Sequence, residues 1–399
     1  PSMSVTTAVV LAAGEGTRLR PLTRNRPKPM LPAATRPILE HVLDALVDAG
    51  MDRLVLVVGY RRRRVQEQFG PEYRNVPIEY VEQSKQLGSG HALAQARDSV
   101  SGPVLVVNGD HLVETSAVRE VADAFATDEP AATMAVIERD DPSRYGAVTL
   151  SDGQVTGIIE KPDTDDYRLI NAGIYAFDEA IFEWIEATAR RDGELALTDT
   201  IARLVERQRV NAVRVSGLWV DATYPWDLLT VARSVLDRGR ISGPERSAGV
   251  WVAETAQVHE DAVLRPPVAI APDAEVGPET VLGPAVAGGR DVTIGADATG
   301  GRSGLGSDTR GGHGAAPVGT GCGRRGGVGG GVSGAGGAAG VWGGGRVFTD
   351  RRLGAVLADR AHIGGAATLQ PGTLVGPDAT VEAGVTVDGH VPENGRVVR

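Results

Sequence analysis

The hydrophobic rhythm of the chain changes once, near residue 250. Before that point, short apolar runs alternate with stretches of helical spacing. Residues 5–12 (VTTAVVLA) predict a buried strand, and the polar loop AGEGTRLRPLTRNRPKPMLP follows it. Residues 37–49 (PILEHVLDALVDA) space their apolar side chains as one face of a helix and stop at Gly50. MDRLVLVVGY predicts a second buried strand, with a polar helix from about Arg62 to Phe69 behind it. VPIEYVEQ, the helix GHALAQARDSV and the strand PVLVVNGD continue the alternation. Apolar strands separated by helices give an α/β fold with a Rossmann-like, doubly wound sheet. Ligands of such sheets sit beyond the carboxyl ends of the strands, where loops 12–18, 83–90 and 108–110 fall. Shorter β segments (TMAVIERD, AVTLSDG, VTGIIEKP, AGIYAFD), a helical stretch over 179–208 and a last helix complete a first domain over residues 1–242.

From Val252 onward, aliphatic residues recur at every sixth position: Val258, Leu264, Ile270, Val276, Leu282 and Ile294, with Gly288 missing its turn. The period returns at Leu357, Ile363, Leu369, Val375, Val381 and Val387. Six-residue periodicity with small residues in the turns is the signature of a parallel β-helix, whose stacked coils bury columns of aliphatics. A hexapeptide-repeat domain over 250–399 is expected. Residues 300–345 interrupt it with a glycine-dominated stretch that has almost no aliphatic period. Two readings stay open: a flexible glycine-rich loop, or an out-of-frame stretch replacing further coils. Either one predicts irregular backbone there, because so few apolar side chains cannot repay the cost of ordering.

Composition narrows the function class. The 51 acidic and 41 basic residues leave a net charge of −10, which argues against a nucleic-acid coat or a binder of anionic membranes. The lone Cys322 excludes an internal disulfide framework. No apolar run approaches the roughly 20 residues of a membrane span, and the first residues lack the basic start of a signal peptide. A cytoplasmic protein is the expectation. Only three lysines occur, Lys28, Lys85 and Lys161, all other strongly basic residues being arginine. A compact point charge therefore stands out wherever one has been kept.

The loop after the first strand carries the candidate chemistry. Gly14 and Gly16 let backbone approach a ligand and turn N–H groups toward phosphate oxygens. The loop is neither a dinucleotide fingerprint, whose third glycine would fall on Leu19, nor a phosphate-binding Gly-Lys-Ser/Thr loop. Arg18, Arg20, Arg24, Arg26 and Lys28 crowd the next residues of an otherwise acidic chain. A solvated basic face and a polyanion site both fit that density.

At these residues the sequence resembles the sugar-1-phosphate nucleotidyltransferase (nucleoside-diphosphate-sugar pyrophosphorylase) family. The matching elements are Gly14-x-Gly16-Thr17-Arg18-Leu19-x-Pro21 with Lys28-Pro29, then Gln83 with Leu87-Gly88-Ser89-Gly90-His91-Ala92, and Asn108-Gly109-Asp110. Tyr145-Gly146, Glu160-Lys161-Pro162, Asn171-Ala172-Gly173 and Trp219-x-Asp221 follow in the family's order. The second domain resembles the left-handed β-helix behind such domains in bifunctional N-acetylglucosamine-1-phosphate uridylyltransferase-like and glucose-1-phosphate thymidylyltransferase-like proteins.

The resemblance implies transfer of a nucleotidyl group from UTP or dTTP to glucose 1-phosphate or N-acetylglucosamine 1-phosphate, releasing pyrophosphate. It implies that Leu11, Ala12, Ala13 and Gly14 contact base and ribose, and that Gly16, Thr17 and Arg18 wrap the triphosphate. Lys28 would then sit on the α-phosphoryl group, and Gln83 with Gly88 would read the base. Asp110 and Asp221 would hold Mg²⁺, a cation suited to hard oxygen ligands. Taken alone, Asp110 also fits a turn after a strand and Asp221 a helix cap. Tyr145, Gly146, Glu160, Asn171 and Gly173 would face the sugar, with Lys161 on its phosphate. Thr223 departs from the glycine the family often has two residues beyond the second aspartate.

In bifunctional relatives the β-helix uses acetyl-CoA at sites between subunits of a trimer, so acetyl-CoA is a candidate second substrate and a homo-oligomer the expected assembly. No intact acyl-transfer set is recognisable. His362 is its one candidate, and fits a hexapeptide turn equally well. A regulatory sugar-nucleotide sensor is the non-catalytic alternative.

Overall fold

The computed structural model describes residues 4–142, 145–160, 167–334, 336–343 and 346–399. The chain divides into two compact units, one of residues 1–15 and 38–220, the other of residues 16–37 and 221–399.

In the first unit, a single mixed sheet has the strand order Gly146–Ser151, Gln154–Glu160, Val210–Arg214, Ala132–Glu138, Leu169–Phe177, Val104–Asn108, Thr7–Ala12, Arg53–Val58, Val76–Glu82 and Glu72–Tyr73. Thr7–Ala12 pairs in parallel with both Arg53–Val58 and Val104–Asn108, so the centre of the sheet is parallel. Leu169–Phe177 runs antiparallel to Val104–Asn108. The continuous apolar runs follow from burial on both faces: Ala8, Val9, Val10, Leu54, Val55, Leu56 and Val57 are all inaccessible to solvent. One face packs Val9, Val55, Val57 and Val106 against Leu93, Phe182, Leu197 and Ile201, from helices Ser89–Gln95, Ile181–Glu186 and Leu197–Val205. Helices Ile38–Asp48 and Thr115–Asp128 pack together and cover further strands. This is the doubly wound arrangement expected from the sequence. No described helix is long and apolar enough to cross a membrane.

The second unit contains the left-handed parallel β-helix. Stacked, mainly parallel sheets run along it, and Val250, Val268 and Val286 are paired in successive coils, eighteen residues apart. The aliphatic columns form its core: Val250, Val268, Ile270, Val276, Leu282 and Ile294 in the first coils, and Leu357, Ile363, Leu369, Val375, Val381 and Val387 in the last.

Over residues 300–334 the structure departs from the expectation of irregular backbone. Coils continue without a break through Gly304–Leu305, Arg310–Gly311, Ala316–Pro317, Gly321–Cys322, Gly327–Val328 and Ser333–Gly334, with a step of seventeen residues between Gly304 and Gly321. Two devices replace the missing aliphatics. Left-handed turn residues recur every five or six positions, at Asp297, Arg302, Asp308, Gly314, Gly319, Arg325 and Gly331. Backbone amides also bond from coil to coil, for example Gly306 N to Cys322 O at 2.9 Å and Gly312 N to Val328 O at 2.7 Å. Buried hydroxyls join them: Thr309 Oγ1 donates to Gly323 O at 2.8 Å. Backbone pairing, rather than side-chain burial, carries the ladder through this stretch.

The glycines leave a mark nonetheless. A cavity of about 30 Å³ lies in the core where Gly300 and Gly311 stand among Leu282, Ile294 and Val328. Gly311 is in register between Ile294 and Val328, and a Cβ there would meet nothing closer than Thr293 O at 3.8 Å. Gly311→Val is therefore expected to stabilise the fold by about 1–2 kcal/mol, through added apolar burial and a less flexible unfolded chain. Thermal melting would show it as an upward shift of a few degrees.

Beyond Gly334 the coil is interrupted by an antiparallel hairpin, Gly337–Gly343 with Arg346–Leu353, before Ala355–Leu357 resumes the ladder opposite Gly321–Cys322.

Candidate active site

The carboxyl ends of the central strands are held level. Ala12 pairs with Val58 and Leu11 with Asn108, and Gly109 N donates to Leu11 O at 2.9 Å. Beyond this edge Ala12 and Ala13 are buried, Leu11 is half-buried, and Gly14 is exposed with open space where a Cβ would stand. Gln86 Nε2 donates to Ala13 O at 2.7 Å and steadies the start of the loop.

Gln83 is 2% exposed, at the end of the strand Val76–Glu82. Its Nε2 donates to Gly88 O at 3.1 Å and lies 2.9 Å from His91 Nδ1. Because an amide nitrogen only donates, Nδ1 is the acceptor and the His91 ring is neutral in this contact. Burial and the nearby Arg190 charge hold the His91 pKa below its ordinary value, which favours that form. Gly88 has φ +97°, and a Cβ on it would stand 2.4 Å from Leu195 O. The 87–91 loop is clasped to Leu195 by Leu195 N to Leu87 O and Gly90 N to Leu195 O, both 2.8 Å. Ser89 Oγ accepts from Leu197 N at 2.9 Å.

The expected sugar-side residues lie on neighbouring strands. Gly146 stands opposite Glu160 and Ala147 opposite Ile170, one residue before Asn171. Asn171 spends its side chain locally: Oδ1 accepts from Gly173 N at 2.9 Å and Nδ2 donates to Tyr175 Oη at 2.6 Å. That turn seats Gly173 against the amide of Asn108. Lys161 lies outside the described residues, and of Glu160 only the backbone is described. Trp219, buried, ties this region together. Its Nε1 donates to Ala172 O at 2.8 Å, and its ring meets His111 and Tyr145 edge-on at 5.2 Å each. Asp110 is partly exposed beside His111, whose strand His111–Val113 pairs with Trp219–Asp221.

In the second unit, Gly16 (φ +65°) closes the turn Thr17–Leu19, and a Cβ there would press within 2.8 Å of Lys28 Cβ. Thr23 Oγ1 donates to Gly16 O at 2.7 Å. Thr17 and Arg18 are exposed. Lys28 opens the turn Lys28–Met30, and its Nζ donates to Asp221 Oδ1 at 2.7 Å, with side chains only 12% and 10% exposed. Thr223 Oγ1 donates to the other oxygen, Asp221 Oδ2, at 2.8 Å. The departure at Thr223 thus adds a hydrogen bond that fixes the carboxylate. Arg26 is not aimed at ligand: it is buried in an ion pair with Asp359 of the β-helix. Lys85 is exposed, and His362 is the exposed residue of the strand His362–Ile363.

Within each unit, then, the structure gathers Gln83 with Gly88, Gly146 with Glu160, Asn171 with Gly173, and Gly16 and Asp221 with Lys28. Sequence reasoning gave no role to His91, Trp219 or Leu195. The first two lay inside quoted motifs, whereas nothing in the sequence marked Leu195.

A family model described as nucleotidyl transferase matches residues 7–238, more than half of the chain. The chain belongs to the nucleotidyl transferase family. Among similar proteins, the bifunctional protein GlmU of Methanococcus maripaludis is 34% identical over 265 residues, covering 65% of this chain and 62% of that protein. The UTP–glucose-1-phosphate uridylyltransferase AglF of Haloferax volcanii is 37% identical over 225 residues, 55% of this chain and 92% of that protein. The chain spans about three fifths of the length of that GlmU. A solved UDP-glucose pyrophosphorylase complexed with UDP-glucose superposes with a TM-score of 0.54 at 23% identity, covering 59% of this chain and 99% of that one. At that identity the likeness speaks for the fold.

Proposed function

We propose that this chain joins UTP or dTTP to a sugar 1-phosphate, with glucose 1-phosphate and N-acetylglucosamine 1-phosphate the leading acceptors, and releases pyrophosphate. The observation that carries the reading is the Lys28–Asp221 pair, a shielded cation held on a carboxylate that is itself fixed by Thr223. A lysine so placed is pre-organised for charge that appears during reaction. The names of GlmU and AglF supply the reaction class.

In the proposed step an oxygen of the sugar 1-phosphate attacks the α-phosphorus, the bond to the bridging α–β oxygen breaks, and pyrophosphate leaves with the electron pair. The attacking oxygen is already anionic at neutral pH, so no side chain need take a proton. The work is positioning and charge compensation. Lys28 steadies the α-phosphoryl oxygens, and Arg18 with the amides of Gly16 and Thr17 holds the leaving phosphates. Gln83 gives its amide hydrogens to Gly88 O and His91 Nδ1, so it meets the base with an acceptor, Oε1. The N3–H of uracil or thymine is the matching donor, whereas N3 of cytosine is not.

Asp110 and Asp221 are the proposed Mg²⁺ ligands. Two carboxylates form a hard-oxygen donor set that suits this ion. When bound, the ion would supply positive charge for the triphosphate. Tyr145, Gly146, Glu160, Asn171 and Gly173 are the proposed sugar contacts, with Lys161 on the acceptor phosphate.

A panel of five nucleoside triphosphates against several sugar 1-phosphates, read as pyrophosphate release, tests the reading. Turnover confined to UTP or dTTP is expected; no release with any pair refutes it. Asp110→Asn is expected to lose about 10²–10³-fold in kcat with unchanged melting, and full turnover in that variant removes Asp110 from the metal site.

A further inference from the structure

The hairpin that interrupts the β-helix touches the segment just after Asp221. The Phe348 ring lies 4.6 Å from Tyr224 and 5.0 Å from Trp226, edge-on to both. Those two rings stack on each other at 4.8 Å and 9°. The Arg351 guanidinium covers the cluster, 5.5 Å from Phe348 and 6.0 Å from Trp226. On the facing strand Gly343 leaves room for Trp226, since a Cβ there would approach its ring to 3.2 Å.

The aromatic cluster leads directly to the proposed catalytic pair. Thr223 N and Tyr224 N both donate to Asp227 Oδ2, at 2.9 and 2.8 Å, which locks the turn that carries the rings. Thr223 Oγ1 then holds Asp221 Oδ2, and Lys28 Nζ holds Asp221 Oδ1. A second tie reaches the other partner. Arg26, two residues before Lys28, is ion-paired with Asp359, whose Oδ1 also accepts from Arg324 N at 2.9 Å. Both members of the Lys28–Asp221 pair are thus anchored to the coils, one by the hairpin and one by Asp359.

We infer that Phe348 is a positioning residue for nucleotidyl transfer: through Tyr224 and Trp226 it fixes the Asp221 turn and so the place of the Lys28 ammonium. The β-helix in this chain is then a working part of the transferase site. Edge-to-face aromatic contacts are directional, so the hairpin specifies the angle of the turn as well as covering it. Placement errors of about 1 Å at a phosphoryl-transfer centre cost up to about 10²-fold in rate, enough for a residue that never meets substrate to govern kcat. The inference rests on the function proposed above for its consequence in turnover, but its structural part can be tested separately.

The full chain, with Phe348→Ala, Phe348→Tyr and Thr223→Val variants, decides the matter through two readouts. The first is amine acylation followed by mass spectrometry, comparing Lys28 with the exposed Lys85 as internal control. Phe348→Ala and Thr223→Val are expected to raise Lys28 labelling several-fold relative to Lys85, and Phe348→Tyr to leave it at the native level. The second is steady-state pyrophosphate release, where Phe348→Ala is expected to lose about 10- to 100-fold in kcat with KM values within twofold. Thr223→Val, which leaves the hairpin intact, keeps the labelling test decisive if Phe348→Ala does not fold. Native Lys28 labelling in either folded variant overturns the inference, as does native kcat in folded Phe348→Ala. A native protein that releases no pyrophosphate refutes the proposed function, while the labelling arm still judges the positioning role.

Discussion

Lys28→Met is expected to lower kcat for pyrophosphate release roughly 10²–10³-fold, the loss typical when a preorganised electrostatic contact to developing charge is removed. The argument turns on how little solvent reaches the group. The Lys28 side chain is 12% exposed and that of Asp221 10%, so no water layer can replace the missing charge cheaply. Lys28→Arg is expected to recover little, because a planar fork cannot occupy the place of a compact ammonium held 2.7 Å from Asp221 Oδ1. The single substitution also takes the Lys28 charge away from the little-exposed Asp221 carboxylate, at a cost of about 3 kcal/mol when metal is chelated. Chemical unfolding in EDTA would show that loss, and the double variant Lys28→Met, Asp221→Asn should regain most of the stability and none of the activity. Native turnover in Lys28→Met would remove the pair from the mechanism.

The second large effect belongs to Gly88→Ala. At φ +97° an L side chain is strained wherever it is placed, and here the added Cβ would collide with backbone, Leu195 O at 2.4 Å and Leu195 N at 2.9 Å. The obstacle is a carbonyl fixed by the 87–91 clasp, not the flexible end of a side chain. Relief requires breaking the paired bonds between Leu87, Gly90 and Leu195. A stability loss of about 3 kcal/mol is expected from the strain and the lost bonds, visible as a drop in the unfolding midpoint. Because Gly88 O anchors Gln83 Nε2, calorimetric titration should show UTP affinity falling by tenfold or more. Weakened UTP binding without loss of stability would show that the clasp is dispensable to the fold.

Much of this molecule is legible in its sequence. Buried strands announced themselves as Val-rich runs because a parallel sheet covers both faces, and the coils announced themselves as aliphatics six apart. Over 300–334 the pattern misleads for a definite reason: the aliphatic period fades, whereas the left-handed turns at Arg302, Asp308 and Gly314 and the amide ladder persist without it. The first strand of the hairpin, Gly337–Gly343, falls in the same stretch, and GAAGVWG offers no alternation of apolar and polar positions to detect.

The family motifs named the candidate side chains but not their commitments. Arg26 and Lys28 stand two apart in one basic run, yet one is spent on Asp359 and the other is held on Asp221. The sequence by itself determined the two periodicities, the order of elements and the inventory of chemistry, because each depends on neighbours a few residues away. Only the tertiary structure decided which charges pair, and that residues 16–37 cluster with the coils. Those contacts join residues 193 and 333 positions apart, and a hydrogen bond across such a distance leaves no imprint on local pattern.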